Sequence, residues 1–281
     1  MTIVVTGATG GFGRHVVESL LTRGVPADRI VATGRSIEKI HDLADRGVTV
    51  QYAAYEEPES LRKVFAGAEK VLLVSGSEPG KRVPQHQNVI DAAKDAGVGQ
   101  IFYTSAPNAD SSGMLLATEH VATEQALAAS GIPFVVLRNG WYLENYDLKG
   151  ALEHGLIGAA GDGKISLVTR ADLAEAAAAA LAAENLDKQV YELGGEGVTM
   201  AELAAEVSRQ SGREVAYTNL SPEKYTEFLV GVGVPEAFAG ILADSDHRAA
   251  SGALYTGTED LARLLGRPAT PLAEAVRARL A

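Results

Sequence analysis

The chain contains no cysteine, which excludes disulfides, thiolate metal sites and a cysteine nucleophile before any motif is considered. No run of lysine or arginine stands out, and 25 basic against 36 acidic side chains give a formal net charge of −11. A nucleic acid would find no basic stripe on which to release its counterions, so such a partner is not expected. Long apolar runs are missing too. The one ahead of the first glycines spans a few residues with no basic stretch before it, so neither membrane span nor signal peptide is expected, and a cytoplasmic protein follows. Tryptophan occurs once, at Trp141. What the chain does have is 281 residues, 46% of them hydrophobic, enough for one large α/β domain and a smaller appendage.

The most informative stretch lies near the start. A β-branched run, Thr2-Ile3-Val4-Val5, leads into Thr6-Gly7-Ala8-Thr9-Gly10-Gly11-Phe12-Gly13 and then into the amphipathic segment Arg14-His15-Val16-Val17-Glu18-Ser19-Leu20-Leu21. Strand, glycine turn and helix N-terminus together form an anion site: backbone N–H groups and the positive end of the helix dipole face a pyrophosphate, and missing Cβ atoms let it approach. Gly7, Gly10 and Gly13 fall at i, i+3 and i+6, as a dinucleotide fingerprint requires. Gly7, Thr9, Gly10, Gly11, Phe12 and Gly13 are therefore candidate cofactor-binding residues.

Further along, short apolar runs at 29–33, 48–52, 71–74, 100–104 and 134–137 alternate with helical patterns, including Ile37, Ile40 and Leu43 behind Ser36 as an N-cap. This alternation predicts an α/β, Rossmann-like doubly wound parallel sheet with ligands at the carboxyl ends of its strands. Residues 139–166 hold many glycines and little periodicity, an alanine-rich helix follows over 171–183, and a strand returns at 189–193. The expected division is a NAD(P)-binding domain over 1–138 and 166–194, with a smaller substrate-binding cap over 139–165 and 195–281.

The second strand ends Thr33-Gly34-Arg35-Ser36, where a NAD site usually carries an acid for the ribose 2′-hydroxyl. Arg35 suits a 2′-phosphate instead, which favours NADP(H); a solvated surface arginine is the plainer alternative. The other strand ends supply Ser75 and Gly76 for close approach to a ribose, Thr104 and Ser105 as hydroxyls, and Asn139 beside Trp141 and Tyr142. The two rings offer a stacking face for a flat substrate or a wedge between cap and sheet. His120 and Glu124 lie one helical turn apart, so the carboxylate would raise the imidazole pKa and make an acid, unless the two are a surface pair. No third ligand accompanies them, so no metal is expected. His15, His41 and His86 stand singly and read as surface or groove residues.

Taken together, the glycine turn, Arg35, Tyr103-Thr104-Ser105, Arg138-Asn139-Gly140-Trp141-Tyr142-Leu143-Glu144-Asn145, Gly158-Ala159-Ala160-Gly161-Asp162-Gly163-Lys164 and Leu242-Ala243-Asp244-Ser245-Asp246 resemble the NmrA-like branch of atypical short-chain dehydrogenases/reductases, above all its quinone-reducing bacterial members. The resemblance implies an NADPH-dependent reductase of small quinones, with triphenylmethane dye reductases as relatives; after the dinucleotide fold and a small cap little chain remains to build a second redox-cofactor surface, so neither flavin nor metal is expected. The Tyr-x-x-x-Lys pair of typical members is missing; His120-Val121-Ala122-Thr123-Glu124 occupies the comparable helix. A quinone tolerates this loss better than a ketone, because hydride addition yields a stabilised hydroquinone anion. Ser105, His120 and Asn139 are then candidates for positioning or proton donation, and Asn139, Trp141 and Tyr142 for substrate binding. The rival expectation is an NADP(H)-responsive regulator that keeps the fold without catalysis.

Overall fold

A computed structural model describes residues 1–281. Strands buried along their whole length are what a parallel sheet covered on both faces requires, and Ile3–Val5 (β1) is one such run. Gly11–Thr22 (α1), Ile30–Gly34 (β2), His41–Asp45 (α2), Thr49–Tyr52 (β3), Pro58–Phe65 (α3), Lys70–Leu73 (β4), Arg82–Asp95 (α4), Gln100–Ser105 (β5), Leu115–Ser130 (α5) and Phe134–Asn139 (β6) continue the alternation. Trp141–Tyr142 (β7), Ala151–His154 (α6), Leu156–Gly158 (β8), Ile165–Val168 (β9), Arg170–Ala182 (α7), Val190–Leu193 (β10), Gly197–Val198 (β11), Met200–Ser211 (α8), Tyr217–Asn219 (β12), Pro222–Gly231 (α9), Glu236–Ala249 (α10), Glu259–Leu265 (α11) and Leu272–Leu280 (α12) complete the chain. No helix is long and apolar enough to cross a membrane.

Contacts divide these elements into two compact units. The first comprises 1–105, 119–138 and 170–191. Its seven-stranded sheet runs β10-β6-β5-β4-β1-β2-β3, with parallel pairing from β3 across to β6. The strand order reverses between β1 and β4, which opens a crevice at their carboxyl ends. The apolar faces of α3 and α4, through Leu61, Val64, Phe65, Val89, Ile90 and Ala93, pack with Val71 and Leu73 of β4 into one core. Lys70 at the start of β4 reaches the end of α7, where its Nζ donates to the Leu181 and Ala183 carbonyls at 2.8 and 2.6 Å. Those carbonyls lack helical partners of their own, and a cation there also complements the helix dipole.

The second unit comprises 106–118, 139–169 and 192–281. It holds a three-stranded sheet, β11-β9-β7, and a two-stranded one, β12-β8. Among its helices, α8 opens on a reciprocal cap in which Thr199 Oγ1 accepts the Glu202 N–H while Glu202 Oε2 accepts the Thr199 N–H.

Three features depart from the sequence expectation. Segment 106–118, expected in the first domain, clusters with the second unit. Residues 139–166, glycine-rich and with little periodicity in the sequence, contain β7, β8 and the start of β9, each only two to four residues long. Ser36 makes no side-chain cap bond; a 3-10 turn over Ile37–Ile40 precedes the short α2.

Candidate functional site

At the crevice of the first unit lies an open groove of about 310 Å³, lined by the strand ends of β1, β2 and β4 and the segment after β3. Gly7, Thr9 and Gly10 form one wall. Gly7 has φ +61°, in the left-handed region that favours glycine, and its carbonyl accepts the Gly10 N–H at 3.0 Å to close the turn. Gly10 precedes α1 in extended conformation, no side chain caps the helix, and its first turn carries no acid. Such an N-terminus is open to an anion.

The other fingerprint residues serve different ends. A Cβ on Gly13 would lie 2.5 Å from the Gly7 carbonyl oxygen, so this glycine allows α1 to pack against the turn. Gly11 sits against Arg170 at the start of α7, and the Phe12 side chain is buried. None of the three lines the groove.

Arg35, Ser36 and Lys39 line the far end of the groove, with Glu56 and Glu78 opposite. Arg35 is half exposed yet not simply solvated: its Nη1 lies 3.0 Å from Glu78 Oε1 and 3.7 Å from Glu56 Oε1. Both Lys39 and Glu78 escaped the sequence reading. Lys39 carried a signal, since it follows Arg35 by four residues in the turn after β2; Glu78 carried none, because only the fold brings it to Arg35.

The floor beneath Ser75 and Gly76 is a buried polar network. Gly76 N–H donates to His86 Nε2 at 2.9 Å, which leaves the proton on Nδ1, 2.9 Å from Thr123 Oγ1; that hydroxyl donates onward to the Glu119 carbonyl. Arg82 Nε donates to the Gly76 carbonyl at 2.6 Å. His86, expected at the surface or in the groove, is instead fully buried, and desolvation with the nearby Arg82 charge pushes its pKa down to about 3. Thr104 does not line the groove either: buried behind it, its Oγ1 accepts the Ser75 N–H at 2.8 Å. Tyr55 contributes a wall, with its hydroxyl 2.7 Å from the Val74 carbonyl.

The expected acid is not assembled. Glu124 does not meet His120; it accepts Arg138 Nε at 3.0 Å and Nη2 at 2.7 Å, and Ser105 Oγ at 2.6 Å. His120 is buried, its Nδ1 shares a 2.7 Å hydrogen bond with the Tyr103 hydroxyl, and desolvation lowers its pKa to about 3 rather than raising it. An imidazole this reluctant to take a proton is no general acid near neutrality. The Ser105 proton is likewise committed, to a carboxylate.

In the second unit, Asn139 Nδ2 donates to the Tyr142 hydroxyl at 3.0 Å, while Asn139 Oδ1 is buried without a partner. An orphaned buried acceptor costs roughly 1–3 kcal/mol until a donor arrives. Trp141 is only 8% exposed and pairs through β7 with Leu167 of β9, which favours packing over stacking for its ring. Tyr142 is the more accessible of the two.

Comparison with known proteins finds relatives along nearly the whole chain. Over 278 residues, 98% of this chain and 97% of the relative, the sequence is 50% identical to Quinone oxidoreductase 2 of Escherichia coli. The crystal structure of the NADPH-dependent quinone oxidoreductase from Escherichia coli complexed with NADPH superposes with a TM-score of 0.94 at 49% identity, covering 99% of both chains. Triphenylmethane reductase from Citrobacter sp., complexed with NADP(H), gives 0.93 at 40% identity over 99% of this chain and 100% of that one. The model of the NmrA-like family matches residues 1–252. With that match spanning both the glycine turn and the strands that follow β6, the chain belongs to the NmrA-like family.

Proposed function

We propose that this chain is an NADPH-dependent quinone reductase. The observation that carries this reading is the 50% identity, over nearly the full length of both chains, to Quinone oxidoreductase 2. The groove fits the dinucleotide on its own terms. The turn at Gly7–Gly10 and the uncapped start of α1 would hold the pyrophosphate, and Arg35, Ser36 and Lys39 the 2′-phosphate. Ala53, Ala54 and Tyr55 would flank the adenine, while Ser75 and Gly76, fixed from below by Thr104, His86 and Arg82, would face the ribose. Gly11, Phe12 and Gly13 would contribute through the helix start rather than through side chains.

When bound, NADPH supplies a hydride from its nicotinamide C4 to the quinone ring. Adding a hydride to the quinone gives the hydroquinone monoanion, with its negative charge on a phenolate oxygen, so a single proton from water completes the reduction and the engagement of Ser105 and His120 elsewhere is no obstacle. Asn139 and Tyr142 would position the substrate. The free Asn139 Oδ1 is an acceptor, so it matches the O–H of the hydroquinone better than the carbonyl of the quinone.

The test is single-turnover oxidation of NADPH by benzoquinones and naphthoquinones, with deuterium at the transferred position. A primary isotope effect is expected, aliphatic ketones should react poorly, and His120→Asn should cost less than about tenfold, well short of the loss of a general acid. Tight NADPH binding without faster oxidation in the presence of quinones would make the protein a dinucleotide sensor instead.

A further inference from the structure

An exposed ion pair ordinarily contributes little, because both side chains wander and water screens them. The partner of Arg35 is held differently. Glu78 lies on the turn between β4 and α4, and that turn is pinned on both sides of it. Two residues before, Gly76 is gripped at its N–H by His86 and at its carbonyl by Arg82. Two residues after, the Gly80 N–H donates to both carboxylate oxygens of Glu119, at 3.1 Å each. Both oxygens of Glu78 are engaged as well: Oε1 by Arg35 Nη1 at 3.0 Å and Oε2 by Lys81 Nζ at 2.9 Å. Glu56 stands 3.7 Å from the same guanidinium nitrogen. The groove thus carries two carboxylates where a doubly charged phosphate is to bind, against Arg35 and Lys39.

We propose that Glu78, assisted by Glu56, is a specificity-determining residue that competes with the 2′-phosphate for Arg35 and so limits how strongly the groove prefers NADP(H) over NAD(H). This rests on the assignment of Arg35 to the 2′-phosphate. A phosphate entering the groove either shares Arg35 with the two carboxylates or displaces Glu78 onto Lys81 alone, and both routes weaken its binding. A ligand without the phosphate meets neither obstacle. The arrangement therefore tempers selectivity.

Calorimetric titration of the purified full-length protein with adenosine 2′,5′-bisphosphate and with AMP tests this without turnover. Glu78→Gln should tighten the bisphosphate by about three- to tenfold at low salt and change AMP by less than about twofold, with the gain shrinking as salt is raised. In an Arg35→Ala background the same substitution should give less than about twofold, since the contested cation is gone. No gain, or an equal gain for both ligands, overturns the competition. If Arg35→Ala alone lowers the bisphosphate-to-AMP preference while Glu78→Gln changes nothing, only the role of Glu78 falls. Should Arg35→Ala leave that preference untouched, the assignment of Arg35 falls with it.

Discussion

Glu124 gathers three donors on its two carboxylate oxygens, and the pair it forms with Arg138 is nearly closed to water, with side-chain exposures of 14% and 7%. The forked guanidinium matches the carboxylate in two places, which holds both side chains in one geometry. Truncating one partner of such a pair strands the other charge in the interior. Glu124→Ala should therefore destabilise the fold by about 3–5 kcal/mol, read from urea unfolding. A loss below about 1 kcal/mol would place Arg138 in solvent and reopen the pairing of Glu124 with His120. The sequence displayed the i, i+4 spacing of His120 and Glu124 plainly. It could not display that β6 brings Arg138 to the same carboxylate from fourteen residues away, or that Tyr103 of β5 takes the imidazole. Spacing along one helix reports which side chains are neighbours; it does not report which neighbour on another strand outbids them.

At the level of elements, the turn into α1 separates two kinds of glycine that look alike in the sequence. A methyl group on Gly13 would meet backbone, 2.5 Å from the Gly7 oxygen and 2.8 Å from the Ala8 Cα, and backbone cannot step aside as a flexible side chain would. Gly13→Ala should cost about 2–3 kcal/mol of stability by forcing α1 away from the turn. At Gly10 the same methyl would find only the Gly7 oxygen at 3.4 Å, an ordinary contact, and Gly10 lines the groove. Gly10→Ala should keep stability within about 1 kcal/mol while weakening NADP(H) binding, a contrast that thermal unfolding and calorimetry can separate. Matching losses at both positions would show that the two glycines share one role. The strand–turn–helix unit was legible because its signals are local: β-branched residues, then glycines at fixed offsets, then a 3.6-residue period. The strands within 139–166 were not, because β8 gains its partner from β12 and β9 from β11, and two to four residues are too few to establish alternation.

Across the whole molecule, three buried groups set opposing responses to acid. His86 and His120 are held neutral with pKa values of about 3, against 6.5 for a free imidazole, so the unfolded chain takes up their protons first as pH falls. Asp246 acts the other way: burial raises its pKa to about 6, so between that value and the ordinary 3.8 the folded form holds the extra proton. Two of these protons favour unfolding and one opposes it, so the three groups together give a net loss of about 1.4 kcal/mol per pH unit between roughly pH 6 and 5, above the range where carboxylates held low by ion pairs, such as Glu206, add to it. Urea unfolding across that range should show this slope, and His86→Gln or His120→Asn should each flatten it; a slope unaltered by both variants would have another source. The parallel sheet was legible in outline, since alternating short apolar runs and helices leave few other folds. Its first unit is completed only by 170–191, where α7 packs on α1 and the Gln189 carbonyl accepts the Val136 N–H at 2.8 Å to dock the last strand on β6. Synthesis delivers β6 well before that strand exists. A nascent chain emerging from the ribosome therefore carries an open sheet edge and a bare helix face until those residues clear the exit tunnel, and over that interval the edge is open to pairing with a stranger.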